Sequence, residues 1–196
     1  MRPLTSDSCS RLRLAMSNGV DLRRALKGIP SASLNGGVWR LFSDAFPSDG
    51  IDGWNDKSPW RAAWGAAAAG FVVFGEDLFG NQLVVRPTVE NALLWNHENG
   101  ELNDLLLDPV TLLETVLESG VEWLDFYGDG SIAVAQKRVL DVPSECHLHW
   151  TTPLILGGSI DVQNTSVIER TSHLIGHAEL WRQIQGLPPG TTIVPN

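Results

Sequence analysis

A chain of 196 residues, 43% apolar and 19% charged, has room for one domain and enough apolar matter to bury a core without staples. Its formal charge of −9 is unevenly spread: residues 1–30 carry six bases against two acids, whereas between Arg86 and Lys137 there are ten acids and no Lys or Arg. Phosphate affinity rests on cations, so the acidic stretch argues against nucleic acid as a partner and suits a basic protein surface.

Residues 7–27 place apolar side chains at Leu12, Leu14, Met16, Leu22 and Leu26 and are interrupted by Asn18-Gly19, which predicts two short helical pieces. Arg2, Arg11 and Arg13 precede no apolar run with a small-residue cleavage site, so no secretory signal is expected and the cytoplasm is the expected compartment. Residues 62–74 are the longest apolar run and fall short of the ~20 residues a spanning helix needs, so no membrane partner is expected. Residues 29–35 and 44–59 read as loops from their Ser, Asp, Pro and Gly content. Trp39, Trp54, Trp60 and Trp64 read as core and loop anchors rather than a stacking groove. Residues 1–68 are thus expected to form a helical and loop region packed on an α+β domain spanning 69–196.

Residues 69–74, 82–86 and 92–96 read as strands joined by tight turns, which favours an antiparallel meander over parallel units with crossover helices. The intervening GEDLFG, Gly75 to Gly80, has the glycine spacing of a phosphate loop but continues into Asn81 and Gln82 instead of Lys and a hydroxyl residue. It also lacks the ligand alternation of a calcium loop. A turn is the expectation, with Phe79 plugging the sheet against a helix and phosphate excluded as a ligand; Glu76 and Asp77 face solvent or extend the acidic surface. His97 to Glu101 supplies an Asn-Gly turn before a short strand at 102–107. Asp108-Pro109 then opens a helix with Leu112, Leu113, Val116 and Leu117 on its buried face, Glu114 and Glu118 on the other, and Gly120 at its end. After the turn at 128–130, residues 146–156 read as strand up to Gly157-Gly158. A last helix is expected over 171–185, facing inward with Leu174, Ala178, Trp181 and Ile184.

Cys9 and Cys146 are expected to be free thiols, and neither they nor any serine elbow marks a nucleophile. His147 and His149 alternate on a strand while His173 and His177 lie one helical turn apart, so two pairs can converge on a zinc or iron with Glu145 or Cys146 nearby. No companion general base accompanies them, and the expectation is a protein that is not an enzyme and uses no cofactor or metal.

Two stretches resemble known families. FGEDLFGNQLVV, ENALLWNHENGEL and DPVTLLETVLESG are similar to the SUKH superfamily, with Gly80, Trp95 and the Leu112, Leu113, Val116 and Leu117 face at matching places. PSECHLHWTTPLILGGSIDVQNTSVIERTSHLIGHAELWRQI resembles the C-terminal module of type VI secretion immunity proteins through Glu145, Cys146, Pro153, Leu154, Leu156, Gly157, Gly158, Asn164, His173 and Leu174. His147 and His149 depart from that module by standing where aromatics are expected. The resemblance implies an α+β fold with an antiparallel sheet and an immunity role, the binding of one cognate toxin in the cytoplasm. A nuclease toxin, with its basic surface, would suit the acidic stretch. Glu98, Glu101, Asp104, Glu114, Glu118, Glu122 and Asp125 are the expected partner-binding residues. The other readings are a metal-dependent enzyme built on the four histidines and a SUKH-type regulatory scaffold.

Overall fold

Connections too short to hold a crossover helix force neighbouring strands to run antiparallel, and the central part of this chain obeys that rule. The computed structural model describes residues 2–3, 5–18, 21–27, 29, 32–34, 37–44, 50–87, 89–119, 130–188 and 191. Its main sheet takes its strands in sequence order: β1 (Arg2–Pro3), β2 (Ala32–Leu34), β3 (Trp39–Leu41), β4 (Val72–Asp77), β5 (Gln82–Arg86), β6 (Val89–Trp95) and β7 (Leu102–Asp104). Only the first pair is parallel, and β2 to β7 form an antiparallel meander. A separate antiparallel pair, β8 (Cys146–Trp150) and β9 (Thr165–Glu169), lies beyond it in the chain. Its Leu148 N–H donates to the Leu78 carbonyl, which fastens the pair to the β4–β5 turn.

The helices are α1 (Ser6–Ser17), α2 (Leu22–Lys27), α3 (Gly50–Asp52), α4 (Pro59–Trp64), α5 (Pro109–Ser119), α6 (Ser131–Arg138) and α7 (Arg170–Ile184). The fold is α+β, an antiparallel meander packed against helices. One core cluster runs through all of it, from Leu12 on α1 to Ala178 on α7. The region ahead of residue 69 supplies β1 to β3 of the sheet, and its helix α4 packs on α7. Trp39, Trp54, Trp60 and Trp64 are all buried, and Trp60 and Trp64 both pack their rings on Trp95 at centroid distances of 5.5 and 4.8 Å.

Several boundaries differ from the sequence reading. The loop at 29–35 contains β2, and the loop at 44–59 contains α3 and a π-helical turn at Gly53–Lys57. α6 and β9 have no counterpart among the expected elements. β2 is three residues long and is held by pairing to β3, a partner that local pattern cannot reveal. Gly120 lies outside the described residues.

α5 begins as its sequence requires. The Asp108 carboxylate accepts from the N–H groups of Val110 and Thr111, and Pro109 occupies the position where a missing N–H costs nothing. Asp108→Ala should therefore lower stability by about 1 kcal/mol, read as an earlier urea midpoint with an unchanged slope; a shift near zero would mean that the cap contributes nothing.

Candidate functional site

The stretch from Phe74 to Gln82 holds the buried polar centre of the molecule. β4 carries a bulge between Val73 and Gly75 in its pairing with β5, and such bulges re-aim side chains. Glu76 is fully buried and Asp77 nearly so, at 0% and 5% exposure, which corrects the expectation that they face solvent or add to the acidic surface. Phe79 stacks on Trp150 of β8 at 4.3 Å and closes the turn over the second sheet, so its partner is a strand and not the expected helix.

A buried carboxylate must be paired, and Glu76 is paired from four elements. Its Oε2 accepts from Arg170 Nη2 on α7 at 2.8 Å, from His147 Nε2 on β8 at 3.0 Å and from Gln82 Nε2 on β5 at 3.4 Å. Arg40 Nη1 on β3 stands 3.6 Å from Oε1 and donates to the carbonyls of Ser144 and Cys146. Burial alone would push the Glu76 carboxyl up, but Arg170, His147 and Arg40 together hold it well below the usual carboxylate range. Glu76 is therefore an anion at neutral pH.

All five histidines of the chain gather beside it. The His173 ring lies 4.8 Å from His97, 5.3 Å from His147, 5.5 Å from His149 and 4.7 Å from His177, centroid to centroid. Burial holds the pKa of His97, His147, His173 and His177 below the ordinary imidazole value, so these rings are neutral at neutral pH, each with one N–H and one lone pair.

Which nitrogen carries the proton then follows from the partners. Ionised Glu76 can only accept, so His147 Nε2 is the donor and its Nδ1 is a lone pair. That lone pair faces His173 Nδ1 at 3.1 Å, so His173 Nδ1 donates and its Nε2 is a lone pair. His173 Nε2 is buried and has no hydrogen-bond partner among the described residues. A second chain ends the same way. The Asn81 amide nitrogen donates to Asp77 at 2.7 Å, which turns the Asn81 Oδ1 toward His97 Nδ1 at 2.9 Å and leaves His97 Nε2 as a lone pair. Burial pushes the Asp77 carboxyl up to about 7, against the hydrogen bonds from Asn81 that lower it. His177 Nδ1 is also buried without a partner among the described residues. A pocket of about 60 Å³, lined in part by Asn81, His97, Glu98, Trp150 and Leu154, opens beside His97.

The residues expected to bind a partner are dispersed. Glu98 is corrected outright: it is 8% exposed and its carboxylate accepts the N–H groups of Leu154 and Ile155, so it serves the 154–156 turn. Glu114 is half-buried and ion-paired with Arg13 of α1. Glu101, Asp104 and Glu118 are exposed, while Glu122 and Asp125 lie outside the described residues. Of the four histidines singled out as possible ligands, all converge, whereas Glu145 is exposed and bonded to Ser144. Arg40, His97 and Arg170 are not among the residues expected from sequence. Arg40 has a signal in sequence, a lone cation inside the apolar run VWRLF; His97, in a turn, has none. The resembling residue Asn164 has a structural part, since its side chain bridges Thr152 and Ser159 and pins the Gly157-Gly158 loop.

No family model and no curated protein matches the sequence. Among solved structures, the crystal structure of Atu4351 from Agrobacterium tumefaciens is similar at a TM-score of 0.52, covering 91% of this chain and 82% of that one at 13% identity. The chain shares its fold with Atu4351. The likeness extends over nearly the whole chain and is one of backbone arrangement. Among the described residues, no helix is long and apolar enough to cross a membrane.

Proposed function

We propose that the chain is an immunity protein, which binds a cognate bacterial toxin in the cytoplasm of the producer and blocks it without catalysing a reaction. The observation that carries this reading is the composition at one end of the main sheet. β7 ends the strand order; Glu101 and Asp104 are exposed on and beside it and Glu118 is exposed on α5, in a stretch without a single Lys or Arg from Arg86 to Lys137. Leu106, whose N–H donates to the Asp104 carboxylate, is 78% exposed and held at φ +60°, a backbone setting that non-glycine residues rarely take. An apolar side chain presented beside an exposed carboxylate has the make-up of an interface anchor. A basic toxin face, such as the phosphate-binding surface of a nuclease, complements it. The stretches that resemble SUKH and type VI immunity proteins support the same reading.

Reversing Glu101 and Glu118 to Lys in one chain should slow association with the toxin encoded beside it by about tenfold at low ionic strength and flatten the salt dependence. Surface plasmon resonance reads both quantities. Unchanged association would leave this edge a solvated surface, and failure of the unaltered chain to bind that toxin or to protect cells that express it would remove the immunity reading itself.

A further inference from the structure

We infer that His97, His173 and His177 form a binding site for a zinc-class divalent ion that ties α7 to the turn between β6 and β7. The inference rests on these side chains and is independent of toxin binding. One nitrogen of each residue lies within 4.8 Å of the others, and all three residues are buried. A tetrahedral zinc, bound at about 2.1 Å, holds its nitrogens roughly 3.4 Å apart, so ring rotations of about 1 Å close the site.

The donor set is prepared for a cation by groups outside it. The Glu76–His147 chain fixes a lone pair at His173 Nε2, and the Asp77–Asn81 chain fixes one at His97 Nε2. Both chains have the form that orients metal-binding imidazoles, a hydrogen bond from the far ring nitrogen to an acceptor that is itself held by a carboxylate. Buried lone pairs that meet no donor call for an explanation, and among the described residues His173 Nε2 is one. His177 Nδ1 is a second buried nitrogen without a partner among the described residues and offers the third ligand. The pocket of about 60 Å³ that His97 lines gives water a way to one ring of the trio. Three imidazoles and no carboxylate select zinc and its neighbours over calcium or magnesium.

The test is equilibrium dialysis of the full chain against micromolar zinc, followed by metal analysis, with cobalt(II) as a spectroscopic substitute. One equivalent per chain and tetrahedral cobalt bands are expected. His177→Gln and His97→Gln should each weaken zinc binding by about 100-fold or more, beyond what loss of an outer-shell partner brings. His149→Gln, on a ring that packs against His173 but lies outside the trio, should leave it unchanged. A folded wild-type chain that retains no zinc overturns the proposal whatever the variants do, and so does zinc bound equally well by His177→Gln and His97→Gln chains.

Discussion

The Glu76→Gln chain is expected to lose about 3–5 kcal/mol of stability, a large share of the ~5–15 kcal/mol a domain holds. Glutamine keeps the shape and removes the charge. Arg170 and Arg40, at 3% and 2% exposure, are then left buried around a neutral amide, and the amide nitrogen can meet the donating Nε2 of His147 with no lone pair. Urea unfolding followed by tryptophan fluorescence measures the loss; a cost under ~1 kcal/mol would mean that the network is not an organising feature of the core. The same group fixes a pH signature. Because the folded-state pKa of Glu76 is depressed, its stabilisation is complete above the ordinary value of 4.5 and is lost as pH falls through the lower folded value. Asp77 has the opposite sign: its pKa, raised to about 7, means that stability falls as pH rises from 3.8 toward 7. The difference between wild type and Glu76→Gln carries the Glu76 contribution, which is lost only below pH 4.5, together with the smaller part of the Asp77 shift that the Glu76 charge causes between pH 3.8 and 7. A difference that is flat down to the acid transition would show that the carboxylate does not carry the charge assigned to it.

Much of the fold is legible where the chain is locally self-consistent. α5 has its cap, its proline and its apolar stripe in one run of residues, and the structure begins it at Pro109. β4 was harder, because residues 75–77 read as turn: a glycine and two acids contradict a buried strand. The contradiction is resolved from far away, by His147 and Arg170, 71 and 94 residues from Glu76. A charge count has the same blindness. It counts Glu98 with the surface acids, whereas two N–H groups of the 154–156 turn draw its carboxylate inside. The candidate site was half visible. Arg170, His173, Leu174, His177 and Ala178 form one buried helical stripe on α7, so polar residues on an apolar face gave a signal. His97 comes from a turn and joins them only through tertiary packing.

Gly80→Ala is expected to cost about 2–5 kcal/mol, from two sources that can be separated. Gly80 sits at φ +96°, where a side chain adds about 1–2 kcal/mol of backbone strain. A Cβ there would also lie 2.8 Å from His147 Nδ1 and 3.2 Å from His173 Nδ1, an overpacking that adds about 1–3 kcal/mol. Neither ring can retreat freely: His147 is held at its other nitrogen by Glu76, and His173 is buried. The methyl group therefore pushes on the 3.1 Å contact between the two Nδ1 atoms. Gly70→Ala is the control, at φ +74° with none of the described residues within 4 Å of the added Cβ, and should show the backbone cost alone. Equal losses in the two variants would show that the turn does not press on the histidine pair. A larger loss at Gly80 places the glycine of GEDLFG as the residue that lets the turn close over the histidines, a demand on its size as well as on its φ.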